Sequence, residues 1–159
     1  MIERRRREFK PSQISSLFIT APPSDPEDPT SFYLANGHTF RCMRAAFARA
    51  LGPDVPVGDE FLAFFRDRGC WIVALPPRFK KQRGRPSTQA LKDEARFIAR
   101  VLRETKPQYV VALKESVGSP TFDAAKSLAI PDASIRRLRT PNDLWKDAFV
   151  SFLTEALTP

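Results

Sequence analysis

The sequence has little of the residue types on which many active sites depend. It contains two cysteines and one histidine in 159 residues. Cys42 and Cys70 lack the paired spacing of a disulfide framework, a zinc site or an iron–sulfur cluster, and isolated cysteines are typical of a reducing compartment. The single histidine, His38, offers little from which to build a metal site or a Ser–His catalytic pair. We therefore expect no metal and no cofactor, and His38 is either a functional residue or an ordinary surface one.

Phosphate-binding loops and long apolar runs are also missing. Neither the Gly-rich phosphate loop nor the dinucleotide-binding fingerprint occurs in the sequence. No apolar run approaches the roughly 20 residues that a membrane-spanning helix needs. The first residues are charged and lack the apolar core of a signal peptide. From these absences we expect a soluble, cytoplasmic protein without a membrane partner.

Positive charge is what the sequence has in excess. Lysine and arginine number 26 against 18 aspartates and glutamates, which gives a formal net charge of +8. Basic proteins favour polyanions because each phosphate contact releases counterions. The balance therefore predicts a nucleic acid as a partner. The alternative is that the arginines form only a solvated surface.

Alternating strand and helix patterns predict one α/β domain over residues 13–159, preceded by a mobile basic arm over residues 1–12. Short apolar runs rich in β-branched and aromatic residues are typical of buried strands. Four such runs occur, at residues 14–20, 70–75, 109–113 and 134–139. Helical spacing of apolar residues predicts about five helices between and after them. Strand–helix–strand order makes the crossovers parallel and right-handed, so we expect a three-layer α/β/α fold with a four-stranded parallel sheet.

The loops that follow the strands are where we expect function, because ligands of open α/β sheets bind beyond the carboxyl ends of the strands. A basic loop follows the second strand, and its side chains are suited to phosphate contacts. The residues of this loop that we predict to bind DNA are Arg78, Lys80, Lys81, Arg83 and Arg85. Lys114 leaves the third strand at the same edge and joins this set. The alternative is a solvated loop without a ligand.

Several segments stand in an order that is familiar from one enzyme family. They are Phe18-Ile19-Thr20-Ala21-Pro22-Pro23, Phe32-Tyr33, Leu75-Pro76-Pro77 with its basic continuation, Lys106-Pro107 before the third strand, and residues 138–149. The ordered set resembles the uracil-DNA glycosylase superfamily, above all its smaller bacterial and archaeal branches. The resemblance covers nearly the whole chain from about residue 14. It implies a uracil-DNA glycosylase-like fold whose last strand leads into a DNA-binding loop. It also implies DNA as the partner, either single-stranded or as a damaged duplex.

The resemblance also implies where a base would be held. In this family an extruded base lies against the loop after the first strand and stacks on an aromatic residue. The residues predicted to line the pocket are Thr20, Ala21, Pro22, Phe32, Tyr33 and Cys70. Cys70 or Trp71 stands where the family has an asparagine that reads the base. In the last loop, Thr140 and Asn142 are predicted to contact DNA.

The predicted catalytic residues are Asp25 and Arg139. Thr20 stands where the family has a carboxylate that activates water, and the nearest carboxylate is that of Asp25, in an acidic, proline-rich loop. Arg139-Thr140-Pro141 replaces a His-Pro pair whose histidine stabilises the departing base. Asp25 would then hold the water, and the fixed cation of Arg139 would favour the leaving anion. The alternative is an ordinary turn at Asp25 that pairs with Arg139 at the surface.

Three functions remain open from these residues. The first is a DNA-binding protein of the uracil-DNA glycosylase-like fold that excises a damaged or deaminated base by hydrolysing its N-glycosidic bond. The second is a nucleic-acid or protein-binding module on the same fold that has lost the reaction. The third is an α/β enzyme acting on a free nucleotide or another anionic small molecule. The replaced family residues favour the second function, whereas the proline loops and the aromatic pair favour the first.

Overall fold

The computed structural model describes residues 2–22, 32–79 and 87–158. Four strands form one sheet, in which every pair of neighbours is parallel and the order is β2-β1-β3-β4. The strands are β1 (Ser16–Thr20), β2 (Cys70–Ala74), β3 (Tyr109–Ala112) and β4 (Ile135–Arg137). Each lies within a segment predicted from the sequence, with ends that differ by at most two residues. The predicted four-stranded parallel sheet is thereby confirmed.

The helices that the structure describes lie on both faces of the sheet. They are α1 (Ile2–Glu8), α2 (His38–Leu51), α3 (Gly58–Asp67), α4 (Thr88–Thr105), α5 (Gly118–Ser127) and α6 (Asp147–Leu157). α2 packs against α6, and α4 packs against α5. Right-handed crossovers in the order β2-β1-β3-β4 place these two pairs on opposite faces. The fold is therefore the predicted three-layer α/β/α arrangement.

The basic N-terminal segment contains a docked helix, whereas its charge had suggested a mobile arm. Arg5 of α1 forms an ion pair with Asp59, and the guanidinium of Arg6 lies 5.3 Å from the centre of the Trp71 ring. Phe9, just after α1, is buried in the main core. Arginine and glutamate both favour helices. A run of them therefore forms a helix here, because Phe9 and the two arginines find partners on the domain.

β2 is an edge strand, and part of its open side is covered. The N–H of Ile72 donates a hydrogen bond to the hydroxyl of Tyr33 at 2.9 Å, and Tyr33 is only 4% exposed. Tyr33 belongs to a short 3-10 helix, Phe32–Leu34, against which α1 packs. Unpaired N–H groups on an edge strand would otherwise invite pairing with another chain. The 3-10 helix and α1 together protect this edge.

Replacement of Tyr33 by phenylalanine is expected to lower the free energy of unfolding by about 1–3 kcal/mol, because the buried N–H of Ile72 loses its acceptor. Urea unfolding followed by circular dichroism measures the change. Tyr109→Phe is the matched control, since the Tyr109 hydroxyl has no hydrogen bond to the residues that the structure describes. Equal stability of the two variants would mean that the bond to Ile72 contributes nothing.

Candidate functional site

The carboxyl ends of the four strands meet along one edge of the sheet, and the loops after β1, β3 and β4 form one surface there. Backbone pairing extends past the strands there, since the N–H of Leu113 bonds to the carbonyl of Ile19 and that of Leu138 to the carbonyl of Ala112. The sheet order also changes direction between β1 and β3, because β1 leads to β2 on one side and β3 leads to β4 on the other. Ligand sites of parallel sheets form at such switch points. We call residues 20–22, 113–116 and 138–146 the carboxyl-edge surface.

Four of the residues predicted to bind DNA or catalyse lie on this surface with exposed side chains: Lys114, Arg139, Thr140 and Asn142. The loops that carry Lys114 and Arg139 touch, since the N–H of Glu115 donates to the carbonyl of Arg139 at 3.2 Å. Neither cation makes an ion pair within the part of the chain that the structure describes. Both are therefore available to an anionic ligand. Thr20, Ala21 and Pro22 lie at the same edge and are half-buried.

Asp143 organises the last loop, which comprises residues 138–146. Its carboxylate accepts hydrogen bonds from the ammonium of Lys146 at 2.7 Å and from the N–H of Arg139 at 3.0 Å. The bond to Lys146, helped by the backbone N–H groups of Arg139 and Thr140, holds the pKa of Asp143 below its ordinary value. Leu144 is fully buried and anchors the loop to the core. The loop therefore presents a preformed surface rather than one that a ligand must order.

The last loop also contacts the beginning of α2 through His38. The Nε2 atom of His38 is 2.7 Å from the Oδ1 atom of Asn142, and both side chains are exposed. When Nε2 carries the proton, it donates to this oxygen. The Sγ atom of Cys42, one helical turn further along α2, is 3.5 Å from the same nitrogen. The spacing of His38 and Cys42 is visible in the sequence, but their meeting with Asn142 is not.

Cys42 is not arranged as a nucleophile. It is 5% exposed, and burial raises the pKa of its thiol, which stays protonated at neutral pH. Its Sγ atom lies 3.5 Å from the Nε2 atom and 3.9 Å from the Nδ1 atom of His38. The cluster therefore offers an exposed imidazole and an exposed amide, and no thiolate.

Cys70 does not belong to the predicted base pocket. It is the first residue of β2 and pairs in register with Ser16, whereas Thr20 pairs with Ala74. Cys70 and Ala74 are four residues apart, so Cys70 lies about 13 Å from the carboxyl end of the strand at about 3.3 Å per residue. It is fully buried, and burial raises the pKa of its thiol to about 12. Cys70 therefore lies at the amino end of β2, whereas Thr20 lies at the carboxyl end of β1, on the opposite side of the sheet along the strand direction.

The aromatic pair predicted to stack on a base is part of the core. Phe32 is 8% exposed, and its ring centre is 5.0 Å from that of Phe65. The Tyr33 ring lies 5.1 Å from that of Trp71, and its hydroxyl is bound to Ile72. Rings that neighbouring side chains already cover cannot stack on a base. Both residues therefore serve packing and the protection of the sheet edge.

Several predicted residues lie outside the described residues, and their roles stay predictions: Asp25, Lys80, Lys81, Arg83 and Arg85. Arg78, the first cation of the basic loop, is described and exposed. Its guanidinium lies 4.8 Å from the ring centre of Phe79 and 5.7 Å from that of Phe97. This part of the basic loop therefore faces α4.

A second basic surface lies along α4, and it was not predicted from the sequence. It is an open groove of about 570 Å³. We call it the arginine groove, and its principal lining residues are Arg78, Phe79, Arg96, Phe97, Arg100 and Arg103. The signal was present in the sequence, since the last three arginines recur at positions i, i+4 and i+7 of one helix and so share a face.

Searches for a metal site, for a membrane helix and for relatives give negative results. Within residues 2–22, 32–79 and 87–158, no group of three or more His, Cys, Asp or Glu side chains is arranged to hold a metal ion. No helix in those ranges is long and apolar enough to cross a membrane. No protein-family model matches the chain, and no curated protein matches it. The resemblance to the uracil-DNA glycosylase superfamily rests on the ordered segments quoted above and stays a prediction.

Proposed function

We propose that this protein binds DNA at the carboxyl-edge surface. One observation carries the proposal: the loops after β3 and β4, beside the switch point between β1 and β3, touch each other and carry Lys114 and Arg139, two cations with no ion pair among the described residues. Thr140 and Asn142 add exposed hydrogen-bonding groups beside them. Side chains of these four types commonly contact phosphate oxygens. The net charge of +8 would attract the polyanion from a distance.

Replacing both Lys114 and Arg139 by glutamine tests this proposal. For duplex DNA, the slope of log affinity against log salt concentration is expected to become shallower by about 1.8, at about 0.9 per phosphate contact. Fluorescence anisotropy of a labelled duplex over a series of KCl concentrations measures the slope. Arg4→Gln with Arg7→Gln is the matched control, because it removes the same charge from exposed positions on α1. If both double variants lower the salt slope equally, the carboxyl-edge surface is not part of the DNA interface.

A second candidate function is the hydrolysis of an N-glycosidic bond in the bound DNA, by a protein similar to the uracil-DNA glycosylase superfamily. The observation that favours it is the contact of His38 with Asn142. It adds an imidazole to the last loop, where the family resemblance assigns the departing base. A protonated imidazole or the guanidinium of Arg139 would favour the anion that leaves. Asp25 remains the predicted residue that holds the attacking water.

The test of this second function is base release from oligonucleotides that carry a panel of deaminated and alkylated bases. His38→Gln keeps a hydrogen-bonding partner for Asn142 but removes the titratable ring. It is expected to slow release by about 100-fold or more, as does Arg139→Gln. Asp25→Asn is expected to slow release by a similar factor. If the unmodified protein releases no base from any substrate, the chain is a non-catalytic binding module instead.

A further inference from the structure

We propose that the arginine groove is a separate binding site for single-stranded nucleic acid. Of its lining residues, only Arg78 belongs to the set predicted from the sequence to bind DNA. The groove lies between the 3-10 helix Pro77–Phe79 and the outer face of α4, whereas the carboxyl-edge surface is formed by the loops after β1, β3 and β4. The two surfaces are therefore built by different elements and can be altered independently.

The groove holds cations that the described part of the fold does not neutralise. Arg96 is 3.8 Å from Asp93, the one carboxylate among the described lining residues. Arg78, Arg100 and Arg103 have no ion pair with any residue that the structure describes. Like charges at helical spacings of three and four residues destabilise a helix. The described ion pairs therefore leave a net positive charge in the groove, which an anionic ligand would neutralise.

Aromatic rings in the same groove distinguish the ligand from a simple anion. The rings of Phe79 and Phe97 have centres 5.7 Å apart, and both side chains are half-buried. The guanidinium of Arg78 lies near both rings, and that of Arg100 lies 5.4 Å from the ring centre of Phe97. Bases stack on aromatic rings and on guanidinium planes, and cations alongside hold the phosphates.

The rings and arginines of the groove suit a single strand better than a duplex. In a duplex, the bases stack on one another and present only their edges in the grooves. A single strand can turn its bases onto Phe97 while its phosphates contact Arg100 and Arg103. Arg96 to Arg103 spans seven residues of α4, which is about 10.5 Å at about 1.5 Å per residue. The groove is thus an extended path, suited to a polymer more than to one phosphate.

The test uses the full chain and a labelled oligothymidylate. Replacing Arg100 and Arg103 by glutamine is expected to make the salt slope of binding shallower by about 1.4, at about 0.7 per phosphate contact of a single strand. Phe97→Leu keeps an apolar side chain but removes the ring, and it is expected to weaken binding by about 5- to 150-fold. Phe79→Leu provides a second ring variant, and circular dichroism confirms that each variant is folded.

The controls distinguish binding in the groove from a general attraction of polyanions to a basic protein. Arg4→Gln with Arg7→Gln should change binding less than the groove variants do. Equal effects, or full affinity in both ring variants, would overturn the proposal. If polyglutamate competes as well as an unlabelled oligonucleotide, and Phe97→Leu leaves binding unchanged, the groove is instead a surface for acidic peptides.

Two further outcomes separate this proposal from the one for the carboxyl-edge surface. Duplex binding that depends on Lys114 and Arg139, without binding of single strands, would refute the groove alone. Binding of single strands through the groove without duplex binding would refute only the carboxyl-edge proposal.

Discussion

Phe32→Ala is expected to lower the free energy of unfolding by about 3–5 kcal/mol, as truncation of a buried phenylalanine commonly does. The Phe32 ring lies within 6.5 Å, centre to centre, of the rings of Phe40, Phe61 and Phe65. Alanine would leave a cavity among these rings, in a core that cannot fully collapse to fill it. For a chain of this size, each kcal/mol shifts the melting temperature by about 2–4 °C. The expected fall is therefore about 6–20 °C.

Thermal unfolding and DNA binding together separate this structural role from base stacking. Phe32→Leu is the matched control, and it is expected to destabilise by less than about 1.5 kcal/mol if the neighbouring rings repack. At a temperature where all forms are folded, both variants should bind DNA as the unmodified protein does. A variant with an unchanged melting temperature and weakened binding would show that Phe32 contacts the ligand after all.

Gly69→Ala is expected to have the second largest effect, a destabilisation of about 2–5 kcal/mol from two sources. Gly69 has a φ of +72°, in the left-handed region that alanine disfavours. A Cβ atom there would also lie 2.5 Å from the Oγ atom of Ser15 and 3.2 Å from the carbonyl oxygen of Gln13. The carbonyl of Gly69 accepts the N–H groups of Ser15 and Ser16, which ties the beginning of β2 to that of β1. The backbone there cannot move without disturbing both strands.

Two other glycines provide controls for this effect in a urea-unfolding series. Gly58 also has a positive φ, of +58°, but a Cβ atom on it would meet nothing within 4 Å. Gly58→Ala therefore isolates the conformational cost, about 1–2 kcal/mol. At Gly118 the backbone is helical, and a Cβ atom would meet the Nε atom of Arg137 at 2.9 Å. That flexible side chain can turn aside, so Gly118→Ala should leave stability nearly unchanged. Equal costs at Gly69 and Gly58 would mean that the crowding by Ser15 contributes nothing.

The sequence sufficed for the sheet and most helices because their signals are local. α4 runs over Thr88–Thr105, where apolar residues recur at helical spacing. Its ends are marked by Ser87, whose hydroxyl accepts the N–H of Ala90, and by Lys106-Pro107. The last helix begins only at Asp147 because Pro141–Trp145 forms a 3-10 helix first. Periodicity and capping residues specify elements, and right-handed crossovers then order them.

The functional residues were harder to place because their positions depend on tertiary contacts. His38 and Asn142 are 104 residues apart in sequence, and no local pattern joins them. An aromatic pair such as Phe32-Tyr33 looks the same in the sequence whether it lines a pocket or fills a core. Only the burial of the two rings in the structure distinguishes these roles. Cys70 was predicted to line the base pocket because the position of the family's asparagine was matched to the beginning of β2. The pocket residues of the first loop follow the carboxyl end of β1 instead. The basic face of α4 in the arginine groove could have been predicted, since Arg96, Arg100 and Arg103 recur at helical spacing in the sequence.

The cover that α1 and Tyr33 give to β2 bears on how the protein can be handled. A shortened chain that starts near residue 12 would lack the side chains of Arg6 and Phe9, which lie against Trp71 and in the core. The exposed strand could then add to a strand of a second copy, and such association grows with concentration. Preparations of the shortened chain are expected to become turbid at a lower concentration than those of the full chain. An affinity tag is accordingly better attached at the carboxyl-terminal end than in place of the first helix.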